Sequence, residues 1–353
     1  AISADGDCVA AGNGSRVFFW KNAKSRTPGN TDPTWTSENL NGPIEYRCLD
    51  ISDDGSFLVA VAGLSVYYWE NAKGKSSPPS VAATWTYTSP GKVRAVDLSS
   101  DGDYVAAGVY VSEVAYWKGA KTLPTGSHSP AWASMEPSGP LVDVAVSDDG
   151  DYVAAAAMVD TVYYWADAGS RTGTDEPSTW YGGLGVEFLS MDMSSDGNSV
   201  IAGTFGPNAK VYFWGGAKGL SHKPQDPSWT YTTAGTVHDV AINAAGDYMA
   251  AANDVATPYV YFFDSTGDLK WTYDLISEMA HVLSISSDGG TLAIGTGAIT
   301  SRFLVSTGYR TPTRAVGGVL LPADKLALLS PWIAIALAGL AVTVFATKRR
   351  RKP

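Results

Sequence analysis

The chain has 353 residues, of which 45% are hydrophobic and 17% charged, and this excludes a disordered polymer or a coiled coil. The formal net charge is −10, although five of the basic groups crowd into Lys348, Arg349, Arg350, Arg351 and Lys352. Without those five, 20 basic groups face 35 acidic ones; such a body repels phosphate backbones, so no nucleic-acid partner is expected.

Reading from the N-terminus, Ala1-Ile2-Ser3 matches only the end of a strand, and a repeat then organises the chain to about residue 308. Its clearest mark is a Ser-x-Asp-Gly-type turn after an alternating apolar run. The turn glycines are Gly6, Gly55, Gly102, Gly150, Gly197, Gly246 and Gly289, at spacings of 49, 47, 48, 47, 49 and 43. A period in the forties made of strand-like segments is the signature of a propeller. The third copy shows the unit: KVRAVDLSS, the Asp101-Gly102 turn, DYVAAGVY, EVAYWKGAK and PAWASM. Alternation in the first segment predicts a half-buried strand, and Asp-Gly predicts a hairpin. Four short strands per unit follow, numbered from inside out.

Large aromatics fix the register. The third strand ends in Trp20, Trp69, Trp117, Trp165 and Trp214, with Phe263 and Leu304 in the last two copies. The fourth carries Trp35, Trp85, Trp132, Trp180, Trp229 and Trp271. One bulky ring at one repeated place is expected to pack between neighbouring sheets. The fold class is therefore all-β: a seven-bladed β-propeller of four-stranded blades over residues 1–308, plus one C-terminal transmembrane α-helix. The last unit lacks its outer strand. Ring closure is expected from a segment upstream of Ala1, with Thr311 to Leu321 as the alternative.

The loops between third and fourth strands are the longest: 21–34, 70–84, 118–130, 166–178 and 215–228. Their reuse at one end suggests either a composite binding surface or solubilising spacers.

After a linker at 309–325, Leu326 to Ala346 run 21 residues without a charge, enough for a helix to cross the ~30 Å hydrocarbon core. Trp332 lies near one end, and the basic tail 347–353 follows at once as a stop-transfer signal expected to stay cytoplasmic. The propeller would then face the cell exterior, and the span would contact membrane lipid.

The pattern resembles the WD40-like and quinoprotein-like propellers. The copy YVYFFDSTGDLKWTY (Tyr259 to Tyr273) is similar to the quinoprotein repeat, while the other copies insert the longer loop and lack the Trp-Asp and Gly-His marks of WD40 repeats. VGGVLLPADKLALLSPWIAI with its basic end is similar to the C-terminal anchors of many archaeal surface proteins. The resemblance implies display and binding and names no partner.

Candidate chemistry is sparse. The turn aspartates, Asp53-Asp54, Asp101, Asp103, Asp148-Asp149, Asp151 and Asp196, invite a calcium reading, but each turn offers few of the six to eight oxygens calcium takes. Turn aspartates that bond their own backbone are the expectation. On the innermost strands, Asp50, Asp97 and Asp192 share one position with Ala145, Ala241 and Ser284 and are expected to line the channel. They either bond a neighbouring blade or bind a cation. At the channel mouth come Arg47, Arg94, Val142, Leu189, His238 and His281. Arg47 and Arg94 have the chemistry to hold an anionic group. His238, Asp239 and His281, from adjacent blades, form a ligand set for a divalent metal. Asn13-Gly14-Ser15 is a glycosylation sequon. Cys8 and Cys48 are the only cysteines, and an extracytoplasmic address permits a disulfide between them, although the register places them awkwardly.

No Ser-His-Asp arrangement, HExxH, CxxC or phosphate-binding glycine loop is present. The leading expectation is a non-enzymatic binding or scaffold protein at the cell surface, whose partner is a surface or envelope protein or a glycan, with no cofactor beyond calcium or another divalent metal. The alternatives are a quinoprotein-like oxidoreductase using the axial pocket, and an accessory subunit of a larger membrane complex. For the last, Ala334, Ala336, Ala338 and Gly339 would permit close helix contact.

Overall fold

The computed structural model describes residues 1–27, 32–45, 47–76, 80–221, 223–253, 258–274, 280–296 and 303–307. The expected linker 309–325, the span 326–346, the tail 347–353 and the closing segment 311–321 lie outside the described residues. Among the described residues no helix is long and apolar enough to cross a membrane.

The described strands form seven sheets in chain order. The third sheet is representative: Val93–Leu98, Tyr104–Val109, Glu113–Lys118 and Trp132–Ser134 pair antiparallel from inside out. The fourth, fifth and sixth sheets repeat it, and the second adds a fifth, parallel segment, Gly126–Ser127. The first and seventh sheets have three strands each. Innermost strands of successive sheets pack side by side from the second sheet to the seventh. The result is an all-β, β-propeller-like fold.

The turns explain the sequence repeat. In the fourth sheet, Ser147 Oγ donates to Asp149 Oδ1 at 2.6 Å, and that oxygen accepts the Asp151 amide at 3.1 Å. Ser147 Oγ in turn accepts the Tyr152 amide. The equivalent bonds recur at Ser52-Asp54, Ser99-Asp101 and Ser194-Asp196. The carboxylates therefore hold their own backbone, as turn residues do. Gly150 has φ of 72°, and a Cβ there would lie 2.2 Å from the Tyr104 ring of the preceding sheet, so only glycine fits.

Aromatics lock one sheet to the next. Trp35, Trp85, Trp132 and Trp180 are fully buried, and each indole donates across the junction, to the carbonyls of Ala72, Ala120, Ala168 and Ala217 at 2.9–3.0 Å. Each also stacks on a ring of its own sheet, as Tyr68 does on Trp85 at 4.9 Å. Tyr68, Tyr116 and Tyr164 donate to the turn carbonyls of Gly102, Gly150 and Gly197 in the following sheet. A buried ring whose polar atom is also satisfied contributes packing without a desolvation penalty.

Four of the long loops, 70–84, 118–130, 166–178 and 215–228, are held against sheet edges. Each of these four folds back along the outer edge of the preceding sheet. The amides of Val81, His128, Glu176 and Gln225 donate to the outer-strand carbonyls of Thr36, Thr86, Ala133 and Tyr181. The carbonyls of those same four residues accept the indole N–H of Trp69, Trp117, Trp165 and Trp214. Each loop is thus pinned between its own sheet and its neighbour, and it covers an edge that would otherwise present unpaired backbone.

Candidate functional site: the central cavity and its mouth

The innermost strands of the third to seventh sheets each carry a bulge, at Val93/Ala95, Leu141/Asp143, Phe188/Ser190, Val237/Asp239 and Ala280/Val282. The extra residues are Arg94, Val142, Leu189, His238 and His281, the positions expected at the mouth. Bulges re-aim side chains, and here they turn the following residue inward.

Inside lies a cavity of about 590 Å³ whose lining includes Arg47, Asp50, Asp97, Asp143, Asp192 and Asp239. Each of the five carboxylates accepts a backbone amide from the next sheet. Asp50 takes Leu98 N at 3.0 Å, Asp97 takes Val146 N at 2.7 Å, and Asp143 takes Met191 N at 3.0 Å. Asp192 takes Ile242 N at 2.9 Å, and Asp239 takes Leu283 N at 2.7 Å. One aspartate therefore latches every junction from the second sheet to the seventh. In the fourth and sixth sheets the latch sits two residues earlier on the same strand face, where Asp143 and Asp239 replace a carboxylate lost at Ala145 and Ala241.

Arg47 crosses this cavity. Its backbone has φ of 61°, a left-handed conformation rare for a long side chain. Its guanidinium pairs with Asp143 Oδ2 and, at 2.6 Å, with Asp239 Oδ1. It also donates to the carbonyls of Leu189 at 3.1 Å and His238 at 3.3 Å. One residue just before the innermost strand of the second sheet, Leu49–Ile51, thus ties the fourth, fifth and sixth together. All three charged partners are largely buried, so the pair is charge-assisted and stays intact only while both signs are present.

Burial raises the carboxyls of this cavity above the ordinary carboxylate range. Burial pushes Asp192 up to about 7. Asp143 rises to about 6, with burial outweighing the pull of Arg47. Asp97 is raised well above the ordinary carboxylate range, first by burial and then by the charge of Asp50; Asp50 is raised by burial as well.

Arg47 does not wait at the mouth for an anion; its two carboxylate partners already occupy it. Arg94 does stand at the mouth, lying over the Tyr110 ring at 5.6 Å. His238 and His281 come together, with ring centroids 5.0 Å apart, but Asp239 is turned inward to Arg47 and Leu283. The trio does not assemble, and no group of three His, Cys, Asp or Glu positioned for a metal occurs among the described residues. Cys8 and Cys48 are separate, buried free thiols in different clusters of the core, so no disulfide joins them. Cys8 packs against Gly55, whereas the Cys48 thiol donates to Arg94 O at 3.4 Å. Asn13 is exposed at the end of Val9–Asn13, beside Gly14 in open space. Sequence reasoning missed Asp143. The available signal was that each of the second to sixth repeats carries one aspartate at either of two positions on this strand.

A second, smaller cavity of about 250 Å³ opens on the other side of Arg47, lined by Glu45, Arg94, Val142, Met158, Leu189 and His238. Around it stand the tips of the second-to-third-strand turns and the outer-to-inner loops. In the third sheet these share one end, as the pairs Val93↔Val109, Val109↔Glu113 and Val114↔Ser134 show. The tips expose Leu64, Tyr110, Val111, Met135, Val159 at 53% and Phe205 at 57%.

Fold and site together define a β-propeller-like all-β protein with a salt-bridged centre and an apolar-rimmed mouth. No protein-family model matches the chain, and none of the curated proteins matches it.

Proposed function

We propose that the seven sheets are blades of one closed propeller, of the WD40-like or quinoprotein-like type, held outside the cell by an archaeal-type anchor at 326–346. In this reading the protein is a binding or scaffold protein at the cell surface, whose partner is an envelope or surface protein or a glycan. The observation that carries it is the mouth end, where exposed apolar tips surround a small polar pocket holding Arg94. Exposed apolar groups gathered at one end with a polar centre are the usual mark of a docking surface. The axial oxidoreductase reading draws less support. The cavity lining contains no aromatic ring among the described residues on which a quinone would stack, and Arg47 fills its throat.

The test is co-sedimentation of the full-length protein in nanodiscs with envelopes of the source cells. Saturable binding should fall at least tenfold in a Tyr110→Ser, Phe205→Ser double variant. Undiminished binding by that variant would remove the mouth from the account. Association that depends only on 326–346 would favour the membrane-complex subunit.

A further inference from the structure

Among the described residues the belt of pinned loops is interrupted at the sixth repeat. The sixth repeat replaces the long loop with the tight turn Asp264–Asp268, where Gly267 N donates to Asp264 O. In the same repeat the tryptophan whose indole pins each loop becomes Phe263, which has no N–H to donate. The loop and its clamp are missing together, so among the described residues no amide of the sixth repeat donates to an outer-strand carbonyl of the fifth sheet.

The outer strand of the fifth sheet is Trp229–Thr232, with sequence WTYT. The outer strand of the second sheet, Trp85–Thr88, has the same four residues. On the second sheet, Gly126–Ser127 pairs parallel with Trp85 and Thr86; Gly126 N donates to Thr84 O at 3.3 Å and His128 N to Thr86 O at 2.9 Å. On the fifth sheet, Thr230 holds the place of Thr86, and among the described residues no amide from a neighbouring loop reaches its carbonyl. Burial differs accordingly. Trp85 is fully buried, whereas Trp229 is half-buried, with Thr230 and Thr232 exposed beside it. Trp229 is still held in place, since its indole donates to Ser265 O at 3.1 Å and its ring lies against Gly267.

We propose that the outer edge of the fifth sheet, Trp229–Thr232, is a β-augmentation site for an extended, proline-flanked segment of a partner protein. The occupant is argued from continuity with the belt the chain itself builds. Four equivalent edges each hold a short extended segment, and in three of these loops a proline follows within two residues of the donor: Pro130 after His128, Pro177 after Glu176 and Pro227 after Gln225. Backbone hydrogen bonds to a sheet edge supply affinity independent of sequence, while the half-exposed Trp229 gives the segment an apolar contact. The site lies on the outer rim, away from the mouth, so it stands or falls separately from the proposed docking end.

The probe is a labelled peptide with the sequence of residues 125–131, the segment seated on the identical WTYT edge. Added to the full-length protein, it should bind saturably and slow hydrogen exchange at residues 229–232 but not at 85–88, which are already covered. Thr230→Pro removes an outward amide that no neighbouring loop uses, and edge strands tolerate such a proline. It should weaken the peptide at least tenfold; should that variant misfold, the exchange pattern of the wild type decides alone. No protection at 229–232 with millimolar peptide overturns the proposal, as does binding that ignores Thr230→Pro. It is equally overturned if the edge is already protected in the free protein and opens when residues beyond 307 are removed, or if it is protected only through self-association.

Discussion

The two ends of the sheets are built from the same strands and differ in what they leave unsatisfied. At the turn end, Ser147, Asp149 and Gly150 and their counterparts bond one another, indoles reach carbonyls across each junction, and loops are pinned to edges. At the mouth end the inner strands carry bulges, Phe205 and Val159 face solvent, and Arg94 rests on the Tyr110 ring. The first end holds the sheets in register through repeated local bonds, and the second carries the exposed side chains.

Arg47 is where the difference is sharpest, and breaking it should have the largest effect. Arg47→Ala leaves Asp143 and Asp239 buried without their cation and should cost about 3–5 kcal/mol at pH 8 by chemical denaturation. At pH 5 the loss should be smaller, because Asp143 titrates near 6 and is then protonated in the variant as well.

At the turn end, Trp132→Ala removes a fully buried ring and should cost about 3–5 kcal/mol. Trp132→Phe keeps the stack on Tyr116 but loses the bond to Ala168 O, a loss of about 1 kcal/mol measurable in the same assay. An equal cost for both variants would show that the indole N–H, not the packing, locks the junction.

Asp192 sharpens the comparison through pH. Its folded value is raised to about 7, so the folded state binds the proton more tightly than the unfolded chain. The stability this confers is complete below the unfolded value of about 4 and is lost as pH rises through 7. Asp192→Asn should therefore raise the thermal midpoint at pH 8 and leave it unchanged at pH 4. A constant offset at both would refute the raised value.

The smallest effect belongs to the mouth. Tyr110→Ser and Phe205→Ser should each change stability by no more than about 0.5 kcal/mol, since neither ring is buried. A large destabilisation would mean that these tips are structural after all.

Much of the architecture was legible because it is local. A Ser-x-Asp-Gly turn bonds within five residues, and strand alternation declares a face, so seven copies of both revealed the repeat and placed Asp50, Asp97 and Asp192 on the cavity. Bulge residues could also be located, because they precede those aspartates at a fixed distance. What each bulge does was not legible. Arg47 and Arg94 occupy equivalent places in the repeat, yet one turns inward to partners 96 and 192 residues away and the other lies outward on Tyr110.

The linear pattern by itself determined the number of repeats, their strand content, the buried tryptophans and the apolar run at 326–346, since each follows from short-range periodicity. Only the tertiary structure decided that four of the long loops cover sheet edges, that Cys8 and Cys48 stay apart, that Asp239 belongs to Arg47 and not to the histidines, and that no described loop covers the outer strand of the fifth sheet. Those outcomes depend on which distant strands become neighbours, and a guanidinium between two buried carboxylates has no signature until the sheets that carry them face one another.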